Sequence, residues 1–107
     1  MPTLLYTVRT TCPNIQTRGR FLAWLSPHHV IEVMKGGATG VRIVLPDRAS
    51  ETAPAVVETQ YAFPSRKAFD DYVRLHAPAL RADNAKNFPP ESGVTSERSI
   101  AEIAAEF

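Results

Sequence analysis

Segments whose apolar residues alternate with a period of two flank and separate two segments of helical period, and a proline interrupts each helical segment. That order constrains the fold more than any single motif does. Thr3–Arg9 alternates Leu4, Tyr6 and Val8 with Leu5, Thr7 and Arg9, which predicts a strand whose two rows point to opposite faces. Pro13 marks the start of a helix running to about Leu25. Ser26-Pro27 interrupts it, because Ser is a preferred N-cap and Pro suits a first helical position, where no intrahelical partner for its missing N–H exists. A second piece is expected from Pro27 to Lys35, closed by Gly36-Gly37 as a left-handed cap. Ala38–Leu45 reads as a second strand, Pro46–Pro54 as a turn-rich loop, and Ala55–Phe63 as a third strand.

Pro64-Ser65 then caps another helix, whose stripe Phe69, Tyr72, Val73 and His76 has the spacing of an amphipathic core face. Pro78 breaks it, and a further piece carrying Leu80 and Phe88 ends at Pro89-Pro90. Val94–Ile100 is expected as a fourth strand, although Ile100, Ile103, Ala104 and Phe107 also keep helical spacing. The order β-α-β-β-α-β with right-handed crossovers is the α+β, ferredoxin-like arrangement: an antiparallel four-stranded sheet with both helices on one face. Residues 1–107 are expected to form a single domain, a length that buries about two-thirds of the unfolded surface.

The two sheet faces differ. Tyr6, Val8, Val41, Ile43, Val57, Tyr61 and Phe63 form an apolar row that must lie under the helices. The opposite row mixes Leu5, Val44, Val56 and Ala62 with Thr7, Arg9, Arg42, Glu58 and Gln60. A solvated face would hold fewer aliphatic residues, and a second core face would hold no Arg or Glu. The expectation is a homodimer packed sheet to sheet, closing a barrel around a polar-lined pocket.

Composition narrows the partners. Twelve basic and eleven acidic residues give a net charge of +1, and the basic residues are scattered, which argues against a nucleic-acid footprint. The single cysteine cannot form an intrachain disulfide. No early apolar run resembles a signal peptide, and no stretch is long enough to span a membrane. A cytoplasmic protein without nucleic-acid or membrane partners is expected.

Chemistry-bearing residues gather in Phe21–Gly37, FLAWLSPHHVIEVMKGG, which holds the only Trp and two of the three His. His28 and His29 fall in a first helical turn, whose unpaired N–H groups disfavour an imidazolium. His29 and Glu32 share a face. The plain reading is a packed corner with a satisfied histidine; the functional one turns His29 toward a ligand. His28, His29, Glu32, His76 and Cys12 match no metal-ligand spacing, so no metal and no cofactor are expected. There is no nucleophile elbow, P-loop or dinucleotide fingerprint. Cys12 beside Pro13, at a helix start, has a position that could lower its pKa. His76 ends a helix, where a capping role is the simpler account. Tyr6 and Tyr61 lie on the core face, where packing explains them.

Arg42, Gln60 and Glu58 fall on the mixed face and become neighbours when their strands pair. A structural ion pair is the plain reading. As a ligand site, the planar fork of Arg42 suits a carboxylate or enolate, with Gln60 orienting it, His29 reaching in from the corner and Trp24 forming an apolar wall.

Residues 21–34 resemble the helix corner of small dimeric α/β-barrel proteins, through Trp24, His29, Glu32 and Val33. Between Glu58 and Phe88, ETQY and DDYVRLHAPALRADNAKNF resemble a bacterial domain-of-unknown-function family of that superfamily, number 4286. The matching positions are Gln60, Tyr61, Tyr72, His76, Ala77, Pro78, Leu80, Arg81 and Phe88, with Arg42 upstream. Pro27 and the Pro89-Pro90-Glu91-Ser92 turn depart from the pattern. The resemblance implies a ferredoxin-like subunit that dimerises through its sheet. The wider superfamily includes cofactor-independent monooxygenases of aromatic polyketides, haem-degrading oxygenases, chlorite dismutases and stress-responsive proteins, and the fold does not choose among them. The expected function is a binding module for a small, partly apolar organic anion. The alternatives are a monooxygenase- or isomerase-like enzyme with His29 as base, and a purely structural dimer.

Overall fold

A computed structural model describes residues 3–107. The strands are β1 (Leu4–Cys12), β2 (Gly40–Val44), β3 (Ala55–Phe63) and β4 (Thr95–Glu102), ordered β2-β3-β1-β4 and antiparallel throughout. The helices are α1 (Ile15–Trp24), α2 (Val30–Lys35), α3 (Arg66–Leu75) and α4 (Ala77–Asn87). All pack on one face, which makes this the ferredoxin-like α+β fold. No helix among the described residues is long and apolar enough to cross a membrane.

Helix starts follow local chemistry. Asn14, rather than Pro13, caps α1 by accepting from the Thr17 N–H at 2.8 Å, and Ser65 caps α3 by accepting from the Ala68 N–H at 3.1 Å. The predicted break at Ser26-Pro27 is present: Ser26 takes extended dihedrals inside a kinked segment, Leu25–His29, that joins α1 to α2. Gly37 closes the corner at φ +125°, a region costly for residues with a Cβ.

Strand extents depart from expectation. β1 continues through Thr10, Thr11 and Cys12 because Val57, Val56 and Ala55 pair with them. β2 is shorter than Ala38–Leu45. β4 runs two residues beyond Ile100, and the Ile103 N–H still donates to the Thr3 carbonyl at 2.9 Å. The C-terminal ambiguity resolves as strand because β1 offers that edge a full run of partners.

β3 alternates fully buried and half-buried residues along its whole length. Its inner row packs with Leu4, Tyr6 and Tyr72 into one cluster, and with Phe21, Leu25 and Val30 into another. Phe69 and Tyr72 join the core as expected. Val73 does not: it is 37% exposed, because one residue past Tyr72 is rotated about 100° around the helix.

Gly36 meets Tyr72 closely. A Cβ there would lie 2.8 Å from Tyr72 Cδ1 and 3.1 Å from His76 Cγ. Gly36→Ala is therefore expected to destabilise by about 1–3 kcal/mol, as overpacking does, measured by denaturant unfolding. An unchanged midpoint would show that the two rings yield freely.

Candidate functional site

Between sheet and helices lies a small cavity of about 30 Å³, room for about one or two waters. Tyr6 of β1 and Thr59 and Tyr61 of β3 form its floor. Phe21, Leu25 and His29 wall one side, and Tyr72 of α3 with Leu80, Arg81 and Asn84 of α4 wall the other; Arg98 of β4 completes it. The inward position of Arg98 follows from register. It pairs with Val8, between the Tyr6–Ile100 and Thr10–Ser96 pairs, so it shares the helix-side face.

The lining contains no Asp or Glu. Arg81 and Arg98 have no carboxylate within ion-pair distance among the described residues; the ion pairs there are Arg9–Glu58, Lys35–Glu32, Lys67–Asp71 and Arg74–Asp71. The three tyrosines cluster, with Tyr6 ring centroids 6.0 Å from Tyr61 and 6.1 Å from Tyr72. Their hydroxyls make no hydrogen bond to another described residue, and none is sealed from solvent. Burial and the neighbouring phenols push the Tyr61 hydroxyl well above its ordinary pKa. Burial and Tyr6 push Tyr72 up to about 12, while Arg81 and Arg98 pull in the opposite direction. All the polar side chains facing this space can donate.

His29 sits at the edge of this constellation. Its ring stacks on Trp24 with centroids 4.3 Å apart, and the Trp24 indole N–H donates to Asp83 Oδ2 at 3.3 Å, tying the corner to α4. The His29 Nδ1 is buried without a partner. Burial lowers the His29 pKa, and Arg98 adds to the effect, while Asp83 and Glu32 oppose it. Glu32 itself pairs with Lys35 at 3.1 Å. Because the folded-state value lies below the ordinary 6.5, the unfolded chain binds the proton more readily. Stability is therefore expected to be unaffected by this group above pH 6.5 and to fall as pH drops below it. Melting curves from pH 8 to about pH 5 check this: His29→Gln should lose part of the acid-side decline, and parallel curves for both proteins would refute it.

The expected site residues divide between the two faces of the sheet. His29 and Trp24 lie on the helix side. Arg42 lies on the open face, donating through Nε at 2.9 Å and Nη2 at 2.7 Å to Gln60 Oε1. Glu58 is engaged by its cross-strand neighbour Arg9, not by Arg42. His29 thus does not reach Arg42, because the sheet stands between them. Arg42 and Gln60 line an open groove of about 240 Å³ with Leu5, Ile103 and Glu106.

Other candidates take plainer places. His76 caps α3 and stacks on Tyr72 with centroids 6.5 Å apart. Cys12 is fully buried, and burial raises its pKa against the pull of Arg18, opposite to a helix-start activation. Among the described residues no three His, Cys, Asp or Glu side chains come together as a metal site. Sequence reasoning missed Arg98 and Asn84. Alternation along β4, once paired to β1, was the signal for Arg98; Asn84 lies one turn beyond Leu80 on α4.

No family model and no curated protein matches the chain. Solved structures do. A dimeric ferredoxin-like protein from an uncultured marine organism aligns over 100% of both chains, with a TM-score of 0.80 and 14% identity. A candidate antibiotic-biosynthesis monooxygenase from Bacillus cereus aligns over 100% of this chain and 98% of its own, at TM-score 0.73 and 9% identity. SnoaB, a cofactor-independent oxygenase from Streptomyces nogalater, aligns over 100% and 97%, at TM-score 0.56 and 13% identity. At such identities these likenesses establish the fold.

Proposed function

We propose that two copies of this chain pack sheet to sheet, and that each binds a small, partly apolar organic anion in the cavity between its sheet and helices. The observation that carries the reading is the lining: aromatic and aliphatic walls, two arginines without carboxylate partners among the described residues, and no acidic side chain among those that line it. A buried polar atom without a partner is costly unless water or a ligand satisfies it, and His29 Nδ1, at the edge of this lining, is such an atom. The closed volume is small, so a ligand enters as α4 moves outward. α4 buries only Ala77 and makes one side-chain hydrogen bond to the rest of the described chain, through Asp83.

Arg42, Gln60 and Glu58 belong in this reading to the subunit contact. The open face carries Leu5, Val56 and Ala62 among these polar groups, and the neighbour aligned over its whole length is dimeric. The single domain, the cytoplasmic setting and kinship with the bacterial family 4286 complete the proposal, the last resting on the HAPALR segment.

Isothermal titration with a panel of small aromatic and aliphatic acids tests the site. Arg98→Gln is expected to weaken binding by about tenfold or more, the loss of one charge-assisted contact, and Arg42→Ala to leave it unchanged. The reverse pattern would move the ligand to the open face. An isomerase-like activity is the second reading, favoured by a histidine that its surroundings keep neutral. It requires solvent-deuterium exchange into a bound acid that is lost in His29→Gln.

A further inference from the structure

Little holds α4 against the rest of the chain. It buries only Ala77, and Leu80 packs partly buried against the core. Among the described residues one side-chain hydrogen bond leaves it, where Asp83 Oδ2 accepts from the Trp24 indole N–H at 3.3 Å. Phe88, just past its end, meets the same indole edge-on with centroids 5.7 Å apart. Trp24 is itself placed by His29, whose ring stacks on it at 4.3 Å with 29° between the planes. The His29 Nδ1 is buried with no partner.

We infer that the Trp24–Asp83 hydrogen bond is a latch on α4, and that protonation of His29 releases it. A neutral imidazole can leave Nδ1 as an idle lone pair, whereas an imidazolium carries an N–H on both nitrogens. A charged N–H buried without an acceptor costs more than a neutral group left idle. The indole face attracts a cation, but an in-plane N–H cannot point at a ring lying nearly parallel to its own. Two carboxylates act on His29: Asp83 of α4, and Glu32 of α2, which Lys35 engages at 3.1 Å. Turning Nδ1 toward Asp83 takes that carboxylate from the indole, and turning it toward water undoes the stack. Either movement frees α4. Arg98 of β4 repels the imidazolium, and Arg81 of α4 shares the cavity with it, as do Tyr6, Tyr61 and Tyr72 from β1, β3 and α3. Burial, opposed by Asp83 and Glu32 and aided by Arg98, holds the imidazole below 6.5, so release belongs to the acid side of that value. The latch is independent of the ligand proposed above.

Hydrogen exchange read by mass spectrometry on the protein in plain buffer tests this, with rates corrected for the intrinsic effect of pH. Between about pH 7.5 and about pH 5.5, protection of Ala77–Asn87 is expected to fall about tenfold or more, while β3 keeps its own. His29→Gln, which cannot take the proton, should show equal α4 protection at both pH values. Asp83→Ala removes the acceptor from an exposed position and leaves a better helix former, so α4 should exchange fast at both. Constant α4 protection in the wild-type protein, or an equal fall in His29→Gln, overturns the release by His29. An Asp83→Ala helix as protected as wild type near neutral pH overturns the latch itself. Loss of β3 protection in step with α4 marks global unfolding and overturns both.

Discussion

Tyr72→Ala is expected to destabilise the protein by about 3–5 kcal/mol, the range for a large aromatic truncated in a core. Tyr72 is 4% exposed. Its ring stands 5.1 Å from Phe63, 6.1 Å from Tyr6 and 6.4 Å from Phe69, centroid to centroid. On the other side Gly36 approaches too closely to admit even a Cβ. The ring therefore joins α3, the α2 corner and the sheet, and its loss leaves a void that three elements cannot fill together. For a chain of this size the melting temperature should drop by more than about 10 °C. Val73→Ala, one residue along the same helix but outward-facing, should change stability by less than about 1 kcal/mol. A Tyr72→Ala protein melting within a degree or two of wild type would show that this ring is not the joint between α3 and the sheet.

The second large effect concerns assembly. Light scattering is expected to give twice the mass of the 11.8 kDa chain at micromolar concentration. Leu5→Arg should reduce it to one chain. Leu5 sits on the open face of β1, opposite Ala62 of β3, and shares the groove that Arg42 lines. A guanidinium there adds a like charge beside Arg42 and removes apolar area from the contact, a combination that costs a self-complementary interface twice over because each copy contributes it. A wild-type monomer would refute the sheet-to-sheet contact; a dimer that survives Leu5→Arg would place it elsewhere. Because the cavity lies on the opposite face of the sheet, the monomeric variant should still bind the organic acids.

Local pattern carried much of this. The period-two rows of Leu4–Arg9 and Ala55–Phe63 and the break at Ser26-Pro27 are recorded in adjacent residues, so the order of elements could be read directly. The order implies the ferredoxin-like topology because few connections satisfy right-handed crossovers. Which strand face is apolar was equally plain, since alternation separates Tyr61 and Phe63 from Gln60 and Ala62. The starts of α1 and α3 were readable to within a residue or two, as Asn14 and Ser65 show, whereas α2 begins at Val30 and not at the expected Pro27.

Tertiary structure decided what lies far apart in sequence. Thr10 to Cys12 became strand because β3 pairs with them, and the C-terminal stretch became strand because β1 presented an open edge. Val73 turned outward because it directly follows the buried Tyr72 and so lies about 100° away around α3. The site shows the division most clearly. Arg42 and His29 look like partners along the chain, yet the pleat sends Arg42 to one face and the helices hold His29 on the other. Arg98, unremarkable in a polar segment, enters the cavity because β4 joins the sheet beside Val8, which fixes its side. Periodicity is a property of neighbouring residues, whereas register and facing depend on pairing across the whole chain. The sequence by itself therefore determined the elements, their order and the apolar face; the pairing of β4 with β1 and the packing of α3 and α4 decided which arginines, tyrosines and histidine meet.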